Sequence, residues 1–220
     1  MNHHVKKIIF LVVLLLTIPH LSAAEPNISD FKQDASVTYR ETHVLHAPPS
    51  VVTWLLENPL IIGKLWRIYG YAPKYNVKPA SPPDICQVED PTGIKGNIQR
   101  LEQHQTNPIY WAKGEITHWA APILNEGEGL FDVELKPSSA SNTQLILSVY
   151  IHSKSKIAES ALWLLSPVLK SHIDNRITLN LQDLNRILVD IVASPQTVSQ
   201  KLSDQDKMAF DTFFNLTPAK

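Results

Sequence analysis

Apolar and polar residues alternate in several short segments between residues 36 and 153, which predicts β-strands. The clearest alternation is GLFDVEL, residues 129–135, in which Phe131, Val133 and Leu135 share one face. Turn sequences such as PTG and SSASN separate several of the segments. Short strands joined by short turns are typical of hairpins, so we expect an antiparallel sheet of about seven strands.

The apolar period changes from 2 to 3.6 between Lys156 and Val192, which predicts one long helix. The proline of the Ser166–Pro167 pair either kinks this helix or begins it anew with Ser166 as its cap. A long apolar stripe must pack against another apolar surface, and the predicted sheet offers one. The stripe consists of Leu169, Ile173, Ile177, Leu181, Leu184, Leu188 and Ile191.

Two short helices are predicted directly after the first strand, in PSVVTWLLENP (residues 49–59) and LIIGKLWRIYGYAP (residues 60–73). The order is then one strand, two short helices, about six strands and one long helix, which predicts the α+β class. We expect a curved antiparallel β-sheet of about seven strands that grips the long C-terminal α-helix. The two short helices would close the opening beside the first strand.

The two ends of the chain differ from this domain, which we place at residues 36–194. Lys6 and Lys7 precede the apolar run IIFLVVLLLTI, and Ser22-Ala23-Ala24 provides small residues for cleavage, so residues 1–24 are predicted to be a signal peptide. The mature protein would begin at Glu25 and be exported, to the periplasm or outside the cell, with no stable transmembrane anchor. Residues 25–35 are expected to form a flexible arm. Residues 195–220 form a tail with one possible short helix capped by Ser203.

Composition and motifs exclude several kinds of function. The chain has 20 basic and 21 acidic residues, and removal of Lys6 and Lys7 leaves 18 basic residues, so no nucleic-acid partner is expected. The single Cys86 cannot form an intramolecular disulfide. The histidines lack the spacing of metal ligands, and neither a GxSxG motif nor a glycine-rich phosphate loop occurs, so we predict no metal site, no cofactor and no catalytic residues.

Four stretches carry a resemblance to a known family: THVLHAPPSVVTWLLENP, VEDPTGIKG, YWAKGEI and LLSPVLKSHIDNRITLNLQDLNRIL. In their order they resemble the helix-grip superfamily (SRPBCC), which includes START lipid-transfer domains, polyketide cyclases and birch-pollen-allergen-like proteins. The resemblance covers Ser36 to Ser194. It implies a hydrophobic small molecule or lipid as the partner, bound in a cavity between the sheet and the long helix.

Aromatic residues and polar residues on apolar strand faces are the candidates for the cavity lining. Glu41 and His43 share a strand face with Tyr39, so they either line a wet cavity or belong to a face that is turned to solvent. The full set is Tyr39, Glu41, His43, Trp54, Trp66, Trp111, Phe131, Ile173 and Ile177.

Three functions are compatible with this pattern. The first is an exported carrier of a hydrophobic ligand. The second is a cyclase-like or hydrolase-like enzyme that uses polar cavity residues such as Glu41, His43 or Arg100. The third is an interaction module of the cell envelope, whose phenylalanine-rich tail would contact a protein partner.

Overall fold

The computed structural model describes residues 25–81, 84–91, 94–104, 107–116, 126–153 and 156–216. Its strands are β1 (Val37–Leu45), β2 (Asn76–Pro79), β3 (Ile85–Asp90), β4 (Ile94–His104), β5 (Asn107–Ile116), β6 (Glu126–Ser139) and β7 (Asn142–Ser153). Its helices are α1 (Ile28–Gln33), α2 (Pro49–Glu57), α3 (Pro59–Ile68), α4 (Lys156–Ala193), α5 (Pro195–Ser199) and α6 (Asp204–Phe214). None of the described helices is both long enough and apolar enough to cross a bilayer.

The strands form one antiparallel sheet in the order β1-β7-β6-β5-β4-β3-β2. This curved sheet, the C-terminal helix α4 and the two short helices after β1 confirm the predicted α+β architecture. The helix α4 is a single element that runs through the Ser166–Pro167 pair. Of the two interpretations of that pair, the structure therefore excludes a separate helix that begins at Ser166.

Every second residue of a strand faces α4. Side-chain contacts with that helix identify the inward-facing residues. Glu41 of β1 accepts a hydrogen bond from Thr178, and Asp90 of β3 forms an ion pair with Arg176. The strand registers extend the same alternation across the sheet, which defines its concave face. Tyr39, Val149, Phe131 and Tyr110 lie side by side in one row of this face.

The main hydrophobic core fills one end of the concave side. The second half of α4 contributes Ile187, Leu188 and Ile191, and none of their surface is exposed. Opposite them lie apolar residues of β1, β6 and β7 and of the two short helices. The larger members of this set are Leu45, Val52, Leu55, Leu65, Leu135 and Leu145. This burial accounts for the apolar stripe of the helix from Leu181 onward.

The junction between β1 and α2 depends on two prolines. Pro49 lies in the first turn of α2, where a residue without an N–H group loses no helical hydrogen bond. The Val51 amide donates to the Pro48 carbonyl at 3.0 Å, which starts the helix. Between strand and helix, the Thr143 hydroxyl donates to the Ala47 carbonyl at 2.8 Å. The first strand therefore ends and the helix begins without a linker.

The N-terminal arm is a correction to the predicted flexible segment, because residues 28–33 form the helix α1. The Asn27 side chain caps it by accepting hydrogen bonds from the amides of Ser29 and Asp30, at 3.0 and 3.3 Å. Phe31 is buried against the convex face of the sheet, and the Lys32 ammonium lies 2.6 Å from an Asp132 carboxylate oxygen. The sequence pattern predicted a flexible segment because this short stretch is polar apart from the single buried residue Phe31.

The C-terminal tail forms two helices and packs onto α2 and α3. Phe210 is fully buried, and the ring of Trp54 stacks on that of Phe213 with centroids 4.8 Å apart. An ion pair between Lys64 of α3 and Asp206 of α6 flanks this aromatic contact. The tail aromatics are thus engaged within the chain, which weakens the interaction-module hypothesis.

Acid is expected to loosen the docked tail. Burial raises the pKa of Asp206, but hydrogen bonds from Lys64 and Ser203 outweigh it and hold the pKa below its usual value of 3.8. A carboxylate with a lowered pKa stabilises the fold above its unfolded-state pKa and loses that contribution as the pH falls through the folded-state value. The melting temperature should therefore fall more steeply from pH 4 to pH 2 in the wild type than in Asp206→Asn.

The control for this pH experiment is Asp204→Asn, which changes an exposed carboxylate in the same helical turn. It should melt with the wild-type pH dependence. Equal slopes for the wild type and Asp206→Asn would show that the Lys64–Asp206 pair does not couple the tail to pH.

Candidate functional site

The other end of the concave face lacks large side chains over part of three adjacent strands. We call this patch the glycine floor, and it comprises Gly96 of β4, Ala112 and Gly114 of β5, and Gly127 and Gly129 of β6. Four of the seven glycines of the chain lie in it. All five residues are partly exposed although they face inward. The patch is about 10 Å wide across the strands, since neighbouring strands lie about 4.8 Å apart.

The glycines of the floor fall into two groups. A Cβ atom on Gly96 would lie 2.6 Å from the Lys113 carbonyl oxygen, and one on Gly114 would lie 2.6 Å from the Lys95 carbonyl oxygen. These two glycines permit a close approach of β4 and β5. Among the described residues, a Cβ atom on Gly127 or Gly129 would approach no atom closer than 3.4 Å. A Cβ atom at either position would make ordinary van der Waals contacts, so packing against the described residues does not require glycine there.

Substitution of the floor glycines should separate these two groups. Gly96→Ala is expected to lower the free energy of unfolding by about 1–3 kcal/mol, because the methyl group meets backbone atoms that cannot rotate away. Gly127→Ala should change it by less than about 1 kcal/mol. Urea denaturation measures both values. Equal losses in the two variants would contradict the distinction.

One wall of the site is formed by β1 and the middle of α4. The Tyr39 hydroxyl donates to the Glu41 carboxylate, and the Thr178 hydroxyl lies 3.3 Å and 3.4 Å from its two oxygens. Burial, and then the carboxylates of Asp174 and Glu41, raise the pKa of Tyr39 well above its usual range. The phenol therefore stays protonated, and Glu41 is held as a half-buried acceptor that faces the helix.

The opposite wall joins β3, the segment between α3 and β2, and α4 through Arg176. Its guanidinium forms an ion pair with the buried carboxylate of Asp90, and its Nε donates to the Tyr75 hydroxyl at 3.2 Å. The same hydroxyl accepts from Asn180 Nδ2 at 2.9 Å. Burial raises the pKa of Tyr75, and the neighbouring Arg176 opposes part of that rise. Asp90 is two residues along β3 from Val88, whose partner is Gly96, so this wall borders the glycine floor.

A third side of the site is closed by α2. The Tyr110 hydroxyl on the concave face donates to the Leu56 carbonyl at 3.0 Å, and the Arg100 guanidinium lies 3.3 Å from a Glu57 carboxylate oxygen. Burial raises the pKa of Tyr110 to about 12. These contacts tie the edge of the sheet to the helix that follows the proline junction.

The side chains between these walls are less deeply buried than those of the main core. The inward side chains of Phe131, Tyr110, Leu147 and Ile177 are only partly buried, although they lie between the sheet and α4. At the packed end of the same face, Leu135 and Leu145 are almost completely buried. The described side chains between the sheet and α4 are therefore more deeply buried at one end of the concave face than at the other.

Several of the predicted lining residues lie on the concave side. Tyr39, Glu41 and His43 occupy successive inward positions of β1, so the solvent-facing alternative for this face is not what the structure shows. Phe131 is inward and next to Gly129. Two further predicted lining residues are Trp66, which is buried in α3, and Ile177, which is half-buried in α4. The side chain of Ile173 lies outside the described residues.

Two predicted lining residues lie elsewhere. Trp111 points to the convex face, where it packs with Phe31, Ile109 and Leu130. The reason is that α1 covers this face, so both faces of β5 are apolar and alternation alone could not orient the strand. Trp54 is turned towards the phenylalanines of α6 instead of the space beneath α4.

The residues that the sequence pattern did not reveal are the floor glycines and the wall residues Asp90, Arg176 and Asn180. A usable signal was present, because glycine is disfavoured inside strands and four glycines fall within strand segments. Cys86 also lies on the concave face, where burial raises the pKa of its thiol and makes it less reactive.

Comparison with known proteins bears on the fold alone. A solution structure of a protein from Arthrobacter aurescens has 11% sequence identity and a TM-score of 0.51, and the match covers 70% of this chain and 87% of that one. The architecture is a helix grip. No protein-family model matches the chain, and no curated protein matches it.

Two further helix-grip comparisons are more distant in shape. A conserved protein from Geobacillus kaustophilus has 15% identity and a TM-score of 0.48, with 70% of this chain and 97% of that one covered. The Zhui aromatase/cyclase from Streptomyces sp. R1128 has 11% identity and a TM-score of 0.48, with 72% and 97% covered. Function therefore has to be argued from the site of this chain.

Proposed function

We propose that this protein is an exported carrier that holds a hydrophobic small molecule or lipid between the concave face of its sheet and α4. The ligand would lie on the glycine floor with its polar end at the walls formed by Glu41 and by Arg176. Neither a cofactor nor covalent chemistry is part of this proposal. Export rests on the signal-like sequence of residues 1–24.

The observation that carries the proposal is the pair of inward glycines Gly127 and Gly129, where a Cβ atom would meet no described atom closer than 3.4 Å. Interiors are normally packed without voids larger than a water molecule, so inward positions that could accommodate a side chain but have none are unusual. Aromatic and aliphatic side chains lie between the two walls, and the polar groups are concentrated in the walls themselves, around Glu41 and Arg176. This is the composition of a pocket for an apolar ligand.

The inward position of Glu41 also meets the geometric requirement of an enzyme that uses cavity acids. However, both oxygens of Glu41 are within hydrogen-bond distance of the Thr178 hydroxyl, and Tyr39 donates to one of them. This arrangement holds the carboxylate in place as an acceptor. A carrier would release its ligand unchanged, whereas an enzyme would not.

The test is native mass spectrometry of the protein purified from its host, followed by solvent extraction and identification of any bound compound. We expect a mass above that of the polypeptide and an extract enriched in one hydrophobic compound. Sequencing of the N-terminus should begin at Glu25. A protein that stays free of ligand after incubation with host lipid extracts would contradict the carrier, and an intact N-terminus would contradict export.

A further inference from the structure

The inward residues of β6 change from glycines to large side chains at Phe131. Gly127 and Gly129 precede it on the concave face, and Val133 and Leu135, which follow it, are 5% and 4% exposed. Phe131 itself is half-buried, and among the described residues it belongs neither to the main core nor to the convex cluster beneath α1. It therefore marks the boundary between the glycine floor and the packed end of the concave face.

The ring of Phe131 leans towards the glycine floor. A Cβ atom on Gly129 would lie 3.4 Å from the Cε2 atom and 3.7 Å from the Cζ atom of this ring. The ring edge therefore stands beside the place that a side chain at position 129 would take. Such a ring can shield a strand glycine, which is a structural role. A half-buried inward phenylalanine also leaves apolar surface that a ligand can cover.

Phe131 is one of four inward side chains that form a row across the sheet, in the order Tyr39, Val149, Phe131 and Tyr110. The hydroxyl of Tyr39 donates to Glu41, and the hydroxyl of Tyr110 donates to the backbone of α2. Val149 is 2% exposed. Phe131 is thus the half-buried member of the row that no hydrogen bond can fix. Its removal would extend the glycine floor towards the packed end without breaking a hydrogen bond.

We propose that Phe131 sets the length of the ligand that the site accepts, because its ring ends the glycine floor on the side of the packed core. This inference rests on the proposed function, since it specifies how far the apolar part of the ligand reaches along the floor. A straight hydrocarbon chain laid on the floor would meet the edge of the Phe131 ring. Further methylene groups would stay outside the buried part of the site and would not tighten binding.

The experiment measures displacement of the neutral fluorescent probe N-phenyl-1-naphthylamine by 1-octanol, 1-decanol, 1-dodecanol and 1-tetradecanol. Burial of one methylene group tightens binding about fourfold, so the wild type should bind each longer alcohol more tightly up to a limiting length and no more tightly beyond it. In Phe131→Ala the limit should move to a longer alcohol. The first alcohol beyond the wild-type limit should then bind about tenfold more tightly than it binds to the wild type.

A second variant and a control keep the test independent of folding. Phe131→Trp should move the limit to a shorter alcohol, because the larger ring extends further over Gly129. Opposite shifts in two variants cannot come from partial unfolding, which lowers the apparent affinity for all the alcohols alike. Tyr150→Ala is the matched control, because it removes a ring from the convex face of the neighbouring strand and should keep the wild-type limit.

Two outcomes would overturn the inference while leaving the carrier intact. An unchanged limit in both Phe131→Ala and Phe131→Trp would leave Phe131 with only the structural role beside Gly129. A wild-type affinity that rises through tetradecanol would show that the ring does not end the floor. Failure of the probe and of every alcohol to bind the wild type would refute the proposed function and the inference with it.

Discussion

Gly129→Leu is expected to weaken ligand uptake strongly while leaving the fold intact. The added side chain would project from β6 over the glycine floor, where the proposed ligand lies, so the leucine and the ligand would compete. Overpacking of this kind costs about 1–3 kcal/mol, which corresponds to a loss of affinity of roughly ten- to hundredfold. Titration with the fluorescent probe, together with native mass spectrometry, measures the loss.

The stability of Gly129→Leu should equal or slightly exceed that of the wild type. A Cβ atom at this position lies 3.4 Å from the Phe131 ring, which is an ordinary contact, and replacing a strand glycine recovers about 0.5–1 kcal/mol. The control is Asn97→Leu, which adds the same side chain to an exposed position on the convex face. Unchanged uptake in Gly129→Leu would show that the ligand does not lie on the glycine floor.

Phe210→Ala should destabilise the protein by about 3–5 kcal/mol, the usual cost of removing a fully buried phenylalanine. Phe210 contacts the ring of Trp54 edge-on, with centroids 5.6 Å apart, and it belongs to the main core. The tail is therefore expected to contribute to the stability of the whole domain. Chemical denaturation followed by tryptophan fluorescence gives the free energy of unfolding, because Trp54 reports on this contact directly.

Met208→Ala is the matched control for Phe210→Ala. It removes an apolar side chain from the same helix, but Met208 is 69% exposed, so the change should stay within about 0.5 kcal/mol. If Phe210→Ala unfolded with the wild-type midpoint, α6 would not be part of the cooperative unit. The tail would then remain available for the protein partner that the interaction-module hypothesis requires.

The architecture could be predicted from the sequence because it depends on periodicity. The change from period 2 to period 3.6 after residue 153 separated sheet from helix, and the proline junction at Pro48 placed the short helices correctly. Both signals are local in the chain, so they can be recognised without knowing which helices and strands pack against each other.

The details of the site could not be predicted in the same way, because they depend on contacts between distant segments. The outward position of Trp111 is decided by Phe31 of α1, and the turning of Trp54 is decided by Phe213 of α6. The glycine floor is visible only in the strand registers, which bring Gly114 beside Gly96 and beside Gly127. Alternation places residues on a face, but it does not identify the element that covers that face.

The pairing of β1 with β7 bears on how the chain folds. Val37 pairs with Ile151, so the first and the last strand of the chain must find each other before the sheet is complete. Contacts this distant in sequence slow folding, which for such topologies takes milliseconds to seconds. Until then the free edge of β7 can pair with another chain, so refolding at high protein concentration should favour aggregation.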